Sequence, residues 1–321
     1  MKRFYLLLFL FAASGGWAAE TVFMCVPNSR RHRLGQSQNP VIGLFVSNDQ
    51  AKTWQHRGWQ ESVRLFYAEM GADSVLWGAA GNGVMRSADG GRTWKITTDW
   101  RVTEVLKVKV RPDRPSTVYA CCAYGVFRTT DHGQNWRKVL DRFCADLLID
   151  AAQPETLLAA QEEGISISQD GGDTWQFCCL SGKGTRVLAQ SPGADKSWWA
   201  GTEDDGVLVS TDLGQTWQPR NHGLNHSTVY AIAFQPTDAK IMYLGAHEGG
   251  VYGSTDGGAT WQRLSSGLGD AVVHSLVVLP SNPQVVLAGA INEGLFISRD
   301  AGATWTFASQ AESHIWGLSV R

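Results

Sequence analysis

Carboxylates carry most of the chemistry this sequence could do. They gather in short stretches that end in glycine: QEEG with Glu162 and Glu163, TEDDG with Glu203, Asp204 and Asp205, HEGG with His247 and Glu248, and INEG with Glu293. Two carboxyl groups held about 5–10 Å apart can hydrolyse a glycosidic bond, one as acid and the other as base or nucleophile. A different chemistry lies in the six cysteines, Cys25, Cys121, Cys122, Cys144, Cys178 and Cys179. They read as disulfides, which need Cα atoms within about 7 Å, as a soft thiolate metal site, or as buried thiols packing like small hydrophobes. None has CxxC spacing, so the metal pattern is weak and no metal site is expected. A third candidate is the basic run in PNSRRHRLGQSQNP, residues 27–40, with Arg30, Arg31, His32 and Arg33. Finally, SADGGRTW at 87–94 sets Asp89 beside two glycines, an arrangement open to reading as a metal or catalytic loop.

The last of these is decided by repetition. SNDQAKTW, TTDHGQNW, SQDGGDTW, STDLGQTW, STDGGATW and SRDAGATW repeat the phrase, and the aspartates are Asp49, Asp89, Asp131, Asp170, Asp212, Asp256 and Asp300. The period is about 42 residues, which marks a repeat architecture. Half of the 14 tryptophans sit in these phrases. Seven catalytic loops at one spacing make no chemical sense, so the aspartates are read as structural. Asp can accept hydrogen bonds from its own turn, Gly permits positive φ, and Trp can pack between neighbouring units.

Each octet follows a run opened by Gly, such as GVFR or GLFI, and upstream of it lie runs such as TVYACC and then VHSLVV. Short β-branched and aromatic runs divided by Gly, Pro and Asn are strands and turns. Four strands in about 42 residues make a propeller blade. The expected fold is all-β: a seven-bladed β-propeller with four-stranded blades. TVFMCV near the start matches a second strand, and HIWGLSV at the end matches a first strand. The C-terminal strand should therefore pair with the N-terminal blade and close the ring, removing open sheet edges.

The phrase S-x-D-x-G-x-T-W resembles the Asp-box, the bacterial neuraminidase repeat of sialidases, xyloglucanases, sortilin-type receptors and photosystem II assembly factors. The resemblance implies that each box is the turn between the third and fourth strands of a blade. Strand alternation then sends the second-to-third loops to the opposite face. That face should carry an acidic rim of Glu162, Glu163, Glu203, Asp204, Asp205, Glu248 and Glu293, together with the 27–40 loop. Inner strands aligned by their proline ends place Arg186, Tyr230, His274 and His314 near the channel mouth, forming with His247 and Glu248 a candidate binding cluster. Each of these alone could equally be a satisfied hydrogen-bonding group at a strand terminus, and the basic loop could simply be solvated and paired with the acidic rim.

Residues 1–18 read as a secretory signal: Lys2 and Arg3, an apolar run, then small residues before a cut after Ala18, with a retained anchor as the alternative. Residues 19–321 would then be one propeller, periplasmic or secreted, with no membrane insertion after cleavage. The formal net charge of −2 disfavours nucleic acid as a partner. Sialidase chemistry requires three arginines, a Tyr/Glu pair and an acid/base Asp, and no Phe-Arg-Ile-Pro motif accompanies the repeats. Xyloglucanases carry two tandem propellers, whereas one is found here. The resemblance thus points to a non-enzymatic, monomeric scaffold that binds a protein in the cell envelope, without cofactor or catalytic residue. A glycoside hydrolase or a carbohydrate-binding propeller is the alternative, with acid and base among Glu203, Asp205, Glu248 and Glu293.

Overall fold

In the computed structural model of the chain, residues 20–33, 41–58 and 63–321 are described. The expected signal segment and residues 34–40 of the basic loop lie outside them. The described residues form thirty strands and no helix. Seven antiparallel four-stranded sheets follow the octet period, six of them contiguous in sequence at 65–96, 105–140, 146–179, 185–219, 229–263 and 273–309. These are blades two to seven.

The first blade is composite. Its innermost strand is Gly317–Val320, paired with Val22–Val26 in a register running from Val22↔Val320 to Cys25↔Gly317, and Gly43–Ser47 and Gln55–Arg57 complete it. Thr21 and Arg321 exchange both backbone hydrogen bonds, at 2.9 and 3.0 Å. The ring is closed as the two ends of the sequence imply.

The second strands hold the core. Val22–Val26, Leu76–Ala80, Val118–Cys122, Leu157–Gln161, Trp198–Thr202 and Val286–Ala290 are buried at every residue. A blade has a neighbour on each face, which is why these strands read as unbroken apolar runs rather than alternating ones. The outermost strands are short and exposed where Lys95–Ile96, Gln218–Pro219 and Gln262–Arg263 end their blades. Short polar edges of this kind resist pairing with another chain.

Each octet folds into the same clasp. In 254–261, Ser254 Oγ donates to Asp256 Oδ1 at 2.7 Å and accepts from the Gly258 N–H at 2.9 Å. Thr260 donates its N–H to Oδ1 at 2.9 Å and its hydroxyl to Oδ2 at 2.6 Å. The hydroxyl bond is 2.6 Å in six octets, and Asn135 replaces it with an amide bond of 2.7 Å in the remaining one. Those bonds favour the ionised carboxylate. Hydrogen bonds from Asn135, Thr216 and Thr260 hold Asp131, Asp212 and Asp256 down at about 2.

The clasp also aims the tryptophan. Trp261 Nε1 donates to the Arg220 carbonyl at 2.8 Å and Trp305 Nε1 to the Leu264 carbonyl at 2.6 Å, each reaching the end of the preceding blade. Gly258 has φ +76°, and a Cβ there would lie 2.6 Å from Cη2 of Trp199 in the neighbouring blade. Gly125, which opens its third strand at φ +141°, leaves no room either, because a Cβ would meet the Leu140 carbonyl oxygen at 2.1 Å. Trp305 is 3 % exposed in a cluster that spans the last two blades. Its replacement by Ala should cost about 3–5 kcal/mol, measured as a fall in the urea midpoint with an unchanged slope.

Candidate binding site at the channel mouth

The inner strands line a central channel, and most of them carry an irregularity at the same point. The ladder with the second strand skips Phe66 between Leu65 and Tyr67, Arg186 between Thr185 and Val187, Tyr230 between Val229 and Ala231, and His274 between Val273 and Ser275. In the third blade the skipped residue is Leu106. A bulge adds one unpaired residue and re-aims its side chain. The equivalent residue of the first blade is Trp316, whose N–H bonds the Cys25 carbonyl at 3.1 Å, just before Gly317 enters the ladder.

These residues build the mouth. Tyr230 stacks on His274 with centroids 5.0 Å apart, His274 lies 4.3 Å from Trp316, and Trp316 meets Phe66 edge-on at 5.1 Å. His247 extends the arc by an edge contact of 6.0 Å with Tyr230, and His314 packs against Trp316 at 4.9 Å. On the far side Arg186 lies over the Phe143 ring at 5.7 Å and forms an ion pair with Glu203. Phe143, Arg186, Glu203, Tyr230, His274, His314 and Trp316 line a cavity of about 360 Å³. A second depression of about 820 Å³ over the second and third blades shares Leu106 and Phe143 with it.

A belt of charge lies deeper in the channel. Lys107 Nζ stands 4.0 Å from the Tyr67 ring and 3.8 Å from Asp146, while Lys109 Nζ is 3.9 Å from Glu69. Asp146 also accepts backbone N–H bonds from Leu147 and Leu188, at 2.9 and 3.2 Å, so it ties the fourth blade to the fifth. Burial raises the Glu69 carboxyl and lowers the Lys107 ammonium from their ordinary values. Two histidines of the mouth, His274 and His314, are held neutral. Burial, with His314 beside it, brings His274 down to about 3, and burial brings His314 down to about 4.

Several sequence expectations are met and several corrected. Arg186, Tyr230, His274 and His247 do converge. His314 also reaches the mouth, but it is not the counterpart of the other three. It pairs with Asn28 in a separate two-residue ladder, and Trp316 holds the equivalent position. Arg186, Tyr230 and His274 each stand six residues before a proline, Pro192, Pro236 and Pro280, whereas the last strand ends at Val320 with no proline to set its register. The acidic rim is neutralised in part: Glu203 pairs with Arg186, Asp205 with Lys183, and Glu163 with Arg142. Glu162, Asp204, Glu248 and Glu293 form no ion pair among the described residues, and all four are exposed.

The basic loop is rooted at the mouth, where Asn28 and Ser29 pair with His314 and Ser313 and the Arg30 N–H bonds the Glu312 carbonyl at 2.9 Å. Arg30, Arg31 and Arg33 are exposed and His32 half-buried, and no ion pair among the described residues joins them to the rim. Of the three readings of the cysteines, the structure holds all six as free thiols. Cys25, Cys121, Cys122 and Cys144 are buried in blade packing, Cys178 is exposed and Cys179 half-buried.

Trp316, Phe66, Phe143 and the charged belt escaped the sequence reading. Lys107 and Lys109 were the available signal, because alternating lysines in VLKVKV at an inner strand imply a polar channel wall.

A family model described as Sortilin-Vps10, "Sortilin, neurotensin receptor 3", matches residues 205–311. No curated protein sequence matches the chain. Among solved structures the chain is similar to the GH74 xyloglucanase from Xanthomonas campestris, at 16% identity and TM-score 0.68 over 89% of this chain and 54% of that one. It is also similar to YCF48 from Cyanidioschyzon merolae, at 18% identity and TM-score 0.59 over 75% of this chain and 84% of that one. For YCF48 bound to D1 peptide the identity is 16% and the TM-score 0.60, over 81% of this chain and 94% of that one. Against three GH74 enzymes the chain spans 34%, 51% and 54% of their length. At such identities the shared property is the propeller fold.

The neutral histidines set a pH dependence. Above about 6.5, the ordinary value for His, they are uncharged whether the chain is folded or not. As the pH falls from there towards 4, the unfolded chain takes up protons that the folded mouth refuses, so stability drops. Only below about 4, the ordinary carboxylate range, do the clasp aspartates add to the loss. Urea midpoints between pH 7 and 4.5 should fall in the wild type and fall less in His274→Phe, which keeps the aromatic stack but cannot be protonated.

Proposed function

We propose that this protein is a non-enzymatic, monomeric scaffold of the assembly-factor kind, exported to the periplasm or beyond, which holds a segment of a protein partner at the channel mouth. The observation that carries this reading is the build of the mouth. Phe66, Arg186, Tyr230 and His274 sit at bulges on strand starts, so they are preformed and lose little freedom on binding. Aromatic residues and Arg are also the side chains that anchor protein interfaces. Of the four carboxylates considered for glycosidase chemistry, Glu203 and Asp205 are engaged by Arg186 and Lys183. The likeness to YCF48, one structure of which holds a peptide, adds support at the level of the fold.

The aromatic arc gives a second reading its one specific foothold, because sugar rings also stack on aromatic faces. In it the cavity takes a carbohydrate, in keeping with the similarity to GH74 enzymes. One experiment separates the two. Wild type and the double variant Arg186→Glu, Trp316→Ala are used to capture partners from the native envelope fraction by cross-linking, and both are assayed on a panel of chromogenic glycosides. A partner peptide cross-linked at the mouth, with affinity reduced roughly 30-fold or more in the variant and no glycoside cleaved, is the expected result. Glycoside turnover lost on Glu203→Gln or Asp205→Asn would overturn it.

A further inference from the structure

The six thiols are not equivalent. Cys25, Cys122 and Cys144 are buried, and desolvation raises each of them above the ordinary thiol range. Thiols in that state react slowly, because the thiolate is the nucleophile. Cys178 and Cys179 differ in both exposure and geometry. They end the outer strand Gln176–Cys179, whose ladder pairs Phe177 with Ser166 and Cys179 with Ile165. Cys178 is therefore the extra residue of a bulge.

In a regular strand adjacent side chains point to opposite faces. The bulge cancels that alternation, and the two thiols stand within hydrogen-bonding reach of each other. The same bulge occurs at Val139 in the third blade and Ala308 in the seventh, and only in the fourth blade do two cysteines fill it. The thiols divide their roles. The hydrogen bond from Cys179 lowers the Cys178 thiol below its ordinary value, and the same bond raises Cys179. Cys178 is exposed, and Cys179 packs inward against Trp217 of the next blade.

We propose that Cys178 and Cys179 form a redox-active vicinal dithiol that closes to a cyclic disulfide by exchange with an external low-molecular-weight disulfide and reopens with an external dithiol. In the forward direction the Cys178 thiolate attacks one sulfur of R–S–S–R. A Cys178–S–S–R bond forms, the original S–S bond breaks, and RS⁻ leaves. Cys179 then attacks the Cys178 sulfur, expelling the second RS⁻ and forming the Cys178–Cys179 bond. The two protons of the dithiol pass to the two released thiolates. The protein loses two electrons and the external disulfide gains them.

The ring is easily reopened for a geometric reason. Adjacent Cα atoms across a trans peptide are about 3.8 Å apart, short of the roughly 4.4 Å at which disulfide spacings usually begin. A strained, exposed disulfide has a high reduction potential and belongs to the labile class rather than the structural one. The pair therefore suits reversible exchange better than stapling.

The test uses the full folded protein and oxidised glutathione. Intact-mass analysis of wild type should show the loss of two hydrogens with no lasting glutathione adduct. A non-reducing peptide map should place the link between Cys178 and Cys179, and an excess of dithiothreitol should restore two alkylatable thiols. Cys179→Ser should stop at the mixed disulfide, carrying one glutathione on Cys178. With iodoacetamide at neutral pH, Cys178 should be alkylated at least ten times faster than any of the buried cysteines. A stable mixed disulfide on wild type, or a map that links Cys121 to Cys144 instead, overturns the proposal. The wild-type map decides even if the variant folds poorly.

Discussion

Everything in this molecule hangs on one turn. A serine hydroxyl, an aspartate carboxylate and a threonine hydroxyl close around two residues in left-handed conformation, and the clasp fixes where the following tryptophan goes. In 254–261 the carboxylate accepts from Ser254, from the Thr260 backbone and from the Thr260 hydroxyl, and the tryptophan that follows donates to the blade before it. The turn satisfies its carboxylate locally, and its backbone also bonds outward, the Gly257 N–H donating to the Lys240 carbonyl and the Ala301 carbonyl accepting from the Tyr243 hydroxyl of the preceding blade. The tryptophan then supplies the contact between blades that no single blade could bury alone. Local order and long-range packing are thus set by the same eight residues.

The channel mouth is the place where the repeat is put to another use. An inner strand that simply continued the ladder would turn its residues alternately to the two neighbouring blades. The inserted residue breaks that alternation at one height, and the side chain so released differs from blade to blade: Phe66, Leu106, Arg186, Tyr230, His274 and Trp316. A shared backbone feature therefore yields a ring of unlike side chains, with the variety concentrated where a ligand would meet it. Below it, the belt of Lys107, Lys109, Glu69 and Asp146 keeps the channel polar and joins three blades by charge.

The architecture was legible because its signals are local and repeated. Seven octets at one spacing, each behind a glycine-opened run, specify strands, turns and blade number, and the unmatched strands at the two ends specify closure. The mouth was legible only in part. Arg186, Tyr230 and His274 stand out as polar residues in apolar runs, but a bulge leaves no mark in residue type. His314 was read in the place that Trp316 occupies because the last strand carries no proline to set its register. The pairing of Glu203 with Arg186 and of Asp205 with Lys183 was hidden for another reason. The partners lie 17 and 22 positions apart and meet only after adjacent strands align, so a row of acidic loops looked more negative than the folded rim is.

The closure of the first blade has a consequence for how the chain reaches this state. Val22–Val26 has its outer partner within twenty-odd residues, but its inner partner is Gly317–Val320, at the far end of the sequence. Synthesis runs from the N-terminus, so this strand emerges before its inner partner and waits with one edge bare. Six blades can form in order behind it, each templated by the last. The seam is sealed only when the final strand arrives, a contact about 300 residues long in sequence and correspondingly slow to find. The waiting edge is the point at which a partly made ring would join a second copy of itself, and the final strand ends that exposure.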